Sequence, residues 1–313
     1  MKKLYIVIPC YNEEAVLNET TKQLKSKMNK LIKNNIISEK SRVLYVNDGS
    51  KDSTWDLIQT INKKDKLFTG INLSRNRGHQ NALLAGLMTA KKYADVVISM
   101  DADLQDDINV IDNMLRENEN GNEIVYGVRS SRNKDSWFKR TTAQSFYKFM
   151  KIMGVDIVYN HADCRLMSKR SLDELEKFSE VNLFLRGIVP LIGFKSSVVY
   201  YERNERFAGE SKYPLKKMLS FAWDGITSFS IKPIKIIRNI GIVMAIISFI
   251  ILIYSLIVKI MGTVVPGWTF IACSIWLVAG IQMFSLGMIG EYIGKIYNET
   301  KRRPRYIIET ELD

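Results

Sequence analysis

Asp101 and Asp103 stand two residues apart, with Gln105 two further on, immediately after the apolar run 96–100. A β-strand that ends in this pattern presents two carboxylates and an amide oxygen to one hard divalent cation. Mg2+ and Mn2+ prefer oxygen ligands and often complete their shells with substrate phosphates. Asp101, Asp103 and Gln105 are therefore the candidate metal ligands, and Mg2+ or Mn2+ is the candidate cofactor. The chain's Cys10, Cys164 and Cys273 are scattered and lack zinc-ligand spacing, which points to a reducing compartment and no disulfide framework.

The elements that must position this cluster can be read from the hydrophobic pattern. Apolar β-rich runs at 4–8, 43–46, 69–73, 96–100, 124–126 and 196–200 alternate with amphipathic helical stretches such as 14–33 and 81–92. That alternation predicts βαβ units, hence an α/β domain on a mostly parallel sheet, with ligands at the carboxyl ends of the strands. The polar clusters fall there: Pro9 to Glu13 after the first strand, Asn47-Asp48-Gly49-Ser50 after the second, and Asp101 to Gln105 after the fourth. Taken alone, Asp48-Gly49-Ser50 is also an ordinary turn sequence.

The last third reads differently. Residues 239–258 carry no charge, nor do residues 260–290. About twenty helical residues span the roughly 30 Å hydrocarbon core of a bilayer. Val264-Val265-Pro266-Gly267 supplies a turn, so the two spans are placed at 239–261 and 268–290. Lys216, Lys217, Lys232, Lys235 and Arg238 precede this hairpin, and Lys295, Lys301, Arg302, Arg303 and Arg305 follow it, while Lys259 is the lone cation near the turn. The positive-inside rule puts both termini in the cytoplasm. Before the hairpin, Leu215, Met218, Leu219, Ala222, Ile226 and Phe229 recur at helical spacing up to Pro233. This is the pattern of an amphipathic helix in the headgroup layer or of one packed on the catalytic domain. The net charge of +12 calls for an acidic partner. The membrane segments assign that role to lipids and not to nucleic acid, and the hairpin with its juxtamembrane helices offers a surface for homo-oligomer formation.

Four segments carry a resemblance: Ile8-Pro9-Cys10-Tyr11-Asn12-Glu13-Glu14, Val46-Asn47-Asp48-Gly49-Ser50, Asp101-Ala102-Asp103-Leu104-Gln105 and Arg206-Phe207-Ala208-Gly209-Glu210-Ser211-Lys212-Tyr213. In this order, with the hairpin, the chain resembles family 2 glycosyltransferases of GT-A fold. Within them it is similar to the bacterial polyprenyl-phosphate glycosyltransferases related to dolichol-phosphate mannose synthase. The resemblance implies a Rossmann-like GT-A domain over residues 1–213, an amphipathic juxtamembrane segment at 214–238, the hairpin at 239–290 and a cytoplasmic tail at 291–313.

Residue by residue, the resemblance implies that Pro9, Tyr11 and Glu13 line a nucleoside pocket, with Val46 and Asp48 beside the base. Asp101, Ala102, Asp103 and Gln105 would face the donor diphosphate and its metal. Arg129, Arg206 and Lys212, with Arg132 and Arg203 nearby, would bind phosphate oxygens, which guanidinium groups do in bidentate fashion. Asp163 matches the segment that carries the family's proposed base. A lipid phosphate, with a second pKa near 6, is largely dianionic at neutral pH, so orienting the acceptor, with Arg165, or stabilising charge at the anomeric carbon is the competing role. Asp103, Asp163, Arg206 and Lys212 form the implied catalytic set. The implied reaction is inverting transfer of glucose or N-acetylglucosamine from a UDP-sugar to undecaprenyl phosphate, for cell-envelope glycan modification. A GDP-mannose-dependent mannose synthase and a non-enzymatic scaffold or flippase component are the alternatives. A flippase would need ionisable residues within its spans, and a dead scaffold would be expected to lose the metal carboxylates.

Overall fold

The structure is a computed structural model that describes residues 1–129, 153, 161–181, 183–202, 226–227, 230–261 and 267–313. Leu4, Ile6 and Ile8 of the first strand enter one hydrophobic core and Val7 enters a second. A strand apolar on both faces has to be covered by helices on both faces, which is the condition for a parallel sheet. The elements follow as β1 (Leu4–Cys10), α1 (Glu14–Lys33), β2 (Arg42–Asn47), α2 (Thr54–Lys64), β3 (Phe68–Leu73), α3 (His79–Ala90), β4 (Val96–Ser99) and α4 (Val110–Glu119). Then come β5 (Ile124–Arg129), β6 (His161–Ser168), α5 (Lys169–Glu176), α6 (Leu185–Leu191), β7 (Ser196–Tyr201), α7 (Lys232–Ile260), α8 (Trp268–Thr300) and β8 (Ile308–Leu312).

The eight strands form one mixed sheet in the order β7-β5-β6-β4-β1-β2-β3-β8. The pairs β1–β2, β1–β4, β2–β3 and β5–β7 are parallel, while β4–β6, β5–β6 and β3–β8 are antiparallel. Leu17, Leu24 and Met28 of α1, Ile58 of α2 and Met114 of α4 cover one face. Leu83 and Leu87 of α3, Leu172 of α5 and Ile188 of α6 cover the other. Helix α3 lies very close to the sheet. A Cβ on Gly86 would come within 2.4 Å of a Val7 methyl and 2.6 Å of a Val46 methyl. The expected α/β architecture with a GT-A-like mixed, mostly parallel sheet is what the chain adopts.

Two strands differ from the sequence expectation. Strand β6 alternates Asp163, Arg165 and Met167 with Cys164 and Leu166, so charged residues on a covered face hide its strand character. Strand β8 lies within the segment expected as a cytoplasmic tail. Its Glu309 and Glu311 point outward from an edge strand and give the stretch a tail-like composition. The return is well secured: Ser74 N donates to Ile307 O at 3.0 Å, Thr69 Oγ1 to Leu312 O at 3.0 Å, and Arg305 Nη1 to Phe178 O at 2.9 Å.

Helices α7 and α8 are long and apolar enough to cross a membrane. The first starts at Lys232, ahead of the expected 239, and the second ends at Thr300, beyond the expected 290. Pro233, expected to interrupt, stands in the first turn of α7, where the missing N–H costs nothing. Helix α8 continues past Gly290 to Thr300 and docks on the catalytic domain, where Val181 N donates to Glu299 Oε2 at 2.8 Å. Residues 214–225 and 228–229 of the expected amphipathic segment lie outside the described residues.

Candidate active site

The carboxyl ends of β1, β2, β3 and β4 share one edge of the sheet, and the start of antiparallel β6 joins them there. Ser99 at the end of β4 pairs with Arg165, and its hydroxyl donates to the Asp163 carbonyl at 2.5 Å. The loops on this edge are cross-linked. Asn12 N donates to Ser50 Oγ at 3.0 Å, Lys51 N to Asn12 Oδ1 at 2.9 Å and Glu13 N to Thr54 Oγ1 at 2.9 Å. Pro9 and Val46 are register partners on neighbouring strands, and Tyr11 and Glu13 stand partly exposed in the loop that follows. The residues expected to line a nucleoside pocket are thus brought together on β1, β2 and their loops.

Asp48 has a defined structural task. Its Oδ1 accepts from Arg77 N at 2.7 Å and its Oδ2 from Gly78 N at 3.0 Å. Burial raises the Asp48 pKa, while these two amides and the nearby His79 act to lower it. Gly49 completes the arrangement: its φ is +61°, and a Cβ there would lie 2.5 Å from Asn76 N. Only glycine allows the 75–78 backbone to approach so closely. Asp48 and Gly49 together hold the loop that delivers His79 to the site.

The Asp101-Ala102-Asp103 (DxD) loop is shaped by its own backbone. Leu104 adopts φ +57°, an uncommon left-handed conformation for a leucine, and Asp103 Oδ1 accepts from Gln105 N at 3.2 Å. Thr20 Oγ1 of α1 donates to Ala102 O at 2.8 Å. Burial pushes the Asp101 pKa up to about 6; His79 opposes this, and the negative charges of Asp163, Asp106 and Asp103 add to it. His79, Asp101 and Asp163 offer ligand atoms within 4.8 Å of one another, close enough for one ion, with Asp103 and Gln105 in the same loop as Asp101. The oxygen-rich donors fit Mg2+ or Mn2+.

Two residues that sequence reasoning did not single out complete the cluster. His79 Nε2 lies 3.8 Å from Asp101 Oδ1 and 3.5 Å from Asp163 Oδ2. Arg186 Nε donates to Asp163 Oδ1 at 3.0 Å and Arg186 Nη2 to Asp163 Oδ2 at 2.9 Å. Asp101, His79, Asp163 and Arg186 therefore form one compact cluster of alternating sign, with ligand atoms of His79, Asp101 and Asp163 within 4.8 Å of one another. Burial disfavours the His79 cation, but its contact with Asp163 and the charges of Asp101 and Asp163 outweigh this and raise its pKa to about 9. Burial would raise the Asp163 pKa, yet Arg186 and His79 hold it well below the usual carboxylate range. His79 could have been found by inspecting the carboxyl end of β3, since it opens the helix after that strand. Arg186 had no spacing signal, because its partner is 23 residues away on another element.

Arg165 does not face solvent. It is buried, with its guanidinium carbon 5.5 Å from the Tyr126 ring centroid. Arg129 ends β5 on the same edge of the sheet. Arg132, Arg203, Arg206 and Lys212 lie outside the described residues.

A crossover α/β sheet with paired carboxylates after its fourth strand, beside polar loops after the first two, is the layout of a nucleotide-sugar transferase. The family model for glycosyl transferase family 2 matches residues 5–176, and the chain belongs to that family. It is 54% identical over 309 residues to the uncharacterized glycosyltransferase YkoT of Bacillus subtilis, covering 99% of this chain and 92% of that one. It is 38% identical over 312 residues to the prophage bactoprenol glucosyl transferase homolog of Escherichia coli K12, covering 98% of each. The bactoprenol glucosyl transferase of Shigella phage SfV is 37% identical over 311 residues, covering 99% of each chain.

Proposed function

We propose that this glycosyltransferase moves a single hexose, glucose or N-acetylglucosamine, from a UDP-sugar to undecaprenyl phosphate at the cytoplasmic face of the membrane. The observation that carries this reading is the joining of a DxD-bearing sheet edge to two membrane-length helices within one chain. Relatives named as bactoprenol glucosyl transferases, similar over nearly the whole chain, support the lipid acceptor. A polyprenyl phosphate is confined to the bilayer, so an enzyme anchored there meets its acceptor at high effective concentration. The product would serve cell-envelope glycan modification.

In this reading Pro9, Tyr11, Glu13 and Asp48 form the nucleoside pocket, and Val46, whose side chain is fully buried against α3, adds only its backbone. A divalent cation held by Asp101, Asp103 and Gln105 would neutralise charge on the departing diphosphate. Arg129, Arg206 and Lys212 supply further positive charge to the phosphates, and Asp163 orients the acceptor or stabilises charge at the anomeric carbon. The lipid phosphate is already dianionic above about pH 6, so it attacks without a strong base. The pairing of β8 into the sheet that holds β1 supports a chain that leaves for the membrane and returns on one side. The cations Lys232, Lys235, Arg238, Lys301, Arg302, Arg303 and Arg305 flank the hairpin on that side, which supports a cytoplasmic placement by the positive-inside rule.

The test is turnover by the full chain in lipid nanodiscs carrying undecaprenyl phosphate, with UDP-glucose, UDP-N-acetylglucosamine and GDP-mannose offered in parallel. A lipid-linked hexose of the expected mass, β-linked from an α-linked UDP donor, supports single inversion. Transfer from GDP-mannose alone would make the enzyme a mannose synthase. No lipid-linked sugar from any donor would overturn the proposal.

A further inference from the structure

Asp163 is gripped at two points by one partner. The two Arg186 hydrogen bonds, 3.0 and 2.9 Å long, run to different oxygens of the carboxylate. A fork-on-fork contact fixes the plane of the carboxylate as well as its place, whereas a single-point contact would leave it free to turn. Arg186 is itself firmly seated. Its neighbours Leu185 and Ile188 are buried against the α3 side of the sheet, and Leu185 N donates to Gln80 Oε1 at 2.9 Å. Gln80 follows His79, so α6 and α3 approach Asp163 as one braced unit. The third side is closed by the β4–β6 pairing, where Ser99 holds the Asp163 carbonyl.

We propose that Arg186 is a positioning residue of this active site, its guanidinium fork fixing the plane of the Asp163 carboxylate beside Asp101 and His79. Arg186 acts through Asp163 and not as an independent phosphate ligand. Lysine at this position would keep the charge and lose the fork, so charge and geometry can be separated. What is being positioned rests on the glycosyl-transfer reading above; the pairing itself does not.

The experiment is a double-mutant cycle on the full chain, with Arg186→Gln, Arg186→Lys, Asp163→Asn and the combined Asp163→Asn/Arg186→Gln. Unfolding midpoints and steady-state kinetics for donor and lipid acceptor are both read. Arg186→Gln is expected to lower kcat by about tenfold or more with donor KM changed less than about threefold, the signature of an interaction realised after donor binding. The combined variant should be no slower than Asp163→Asn alone, within about threefold, because contacting residues that act as a unit are not additive. Arg186→Lys should restore most of the unfolding midpoint but not kcat. Losses that multiply in the combined variant, or an Arg186→Lys enzyme with wild-type kcat, would overturn the inference. Lack of transfer by the wild-type chain would instead count against the functional reading. The unfolding arm still decides the pairing in that case, since additive midpoint shifts would mean that no functional fork exists.

Discussion

Tyr201 donates its phenolic hydrogen to Asp106 Oδ1 at 2.5 Å, joining positions 95 residues apart. Asp106 follows Gln105 directly, and Tyr201 is the last residue of β7, from which the chain leads toward Arg203, Arg206 and Lys212. The contact therefore ties the far end of the DxD loop to the base of the basic segment. Tyr201→Phe should cost about 1.5–3 kcal/mol of stability, the scale of a hydrogen bond to a charged group. Chemical denaturation reads that loss, and Mn2+ titration of the same variant should show weaker metal dependence of turnover.

Metal removal gives the next test. Chelation should abolish transfer, and Mg2+ or Mn2+ should restore it. Asp103→Ala should lower turnover by at least about a hundredfold, the scale of a lost transition-state charge partner, with the circular dichroism spectrum unchanged. Full activity in excess chelator would remove Asp101, Asp103 and Gln105 from the metal role.

His79 makes stability depend on pH. Its pKa is about 9 in the folded chain, against an ordinary value of about 6.5. A raised value means the folded state binds the proton more tightly. The stabilisation is fully present below about pH 6.5 and fades as pH rises through about 9. In chelator, wild type should therefore unfold at higher temperature than His79→Gln at pH 6, with the margin closing by pH 10. A margin that is constant across that range would show that the His79 cation contributes nothing.

Gly49→Ala should be far more damaging than a loop substitution usually is. The new methyl meets Asn76 N at 2.5 Å, and the residue keeps φ +61°. Left-handed strain alone costs of order 1–3 kcal/mol. Displacing the 75–78 loop also moves His79, so donor KM should rise along with the drop in unfolding midpoint. Thermal melts and donor kinetics on one preparation measure both.

Topology can be tested with labels. A cysteine placed at Met261, between α7 and α8, should react with an impermeant reagent added outside the cell, while reporters fused at Met1 and after Asp313 should both read cytoplasmic. Reporters on opposite sides of the membrane would contradict the shared sheet.

Much of this molecule was legible before any coordinates. Six strands announced themselves because β-branched residues filled both faces between turn signals, as in β1 and β2. Helix α1 was readable end to end from its apolar spacing. What escaped was set by tertiary context. Strand β6 carries Asp163 and Arg165 inward, where Arg186 pairs with Asp163 and the Tyr126 ring lies beside Arg165, so a buried strand read as polar. Strand β8 is short and edge-bound, and its exposed glutamates belong as much to a tail as to a sheet. Asp101 and Asp103 were legible as candidate metal ligands because they are neighbours in sequence. His79 and Arg186 reach Asp163 from two separate helices, and no local pattern encodes such a meeting.

The return of β8 also orders the events of biogenesis. This strand is translated only after both apolar helices, so while they enter the bilayer the catalytic sheet waits with β3 as a bare edge. Unpaired edges recruit other strands and promote aggregation. A nascent chain that inserted only one of the two helices would strand β8 across the bilayer and leave the sheet permanently open.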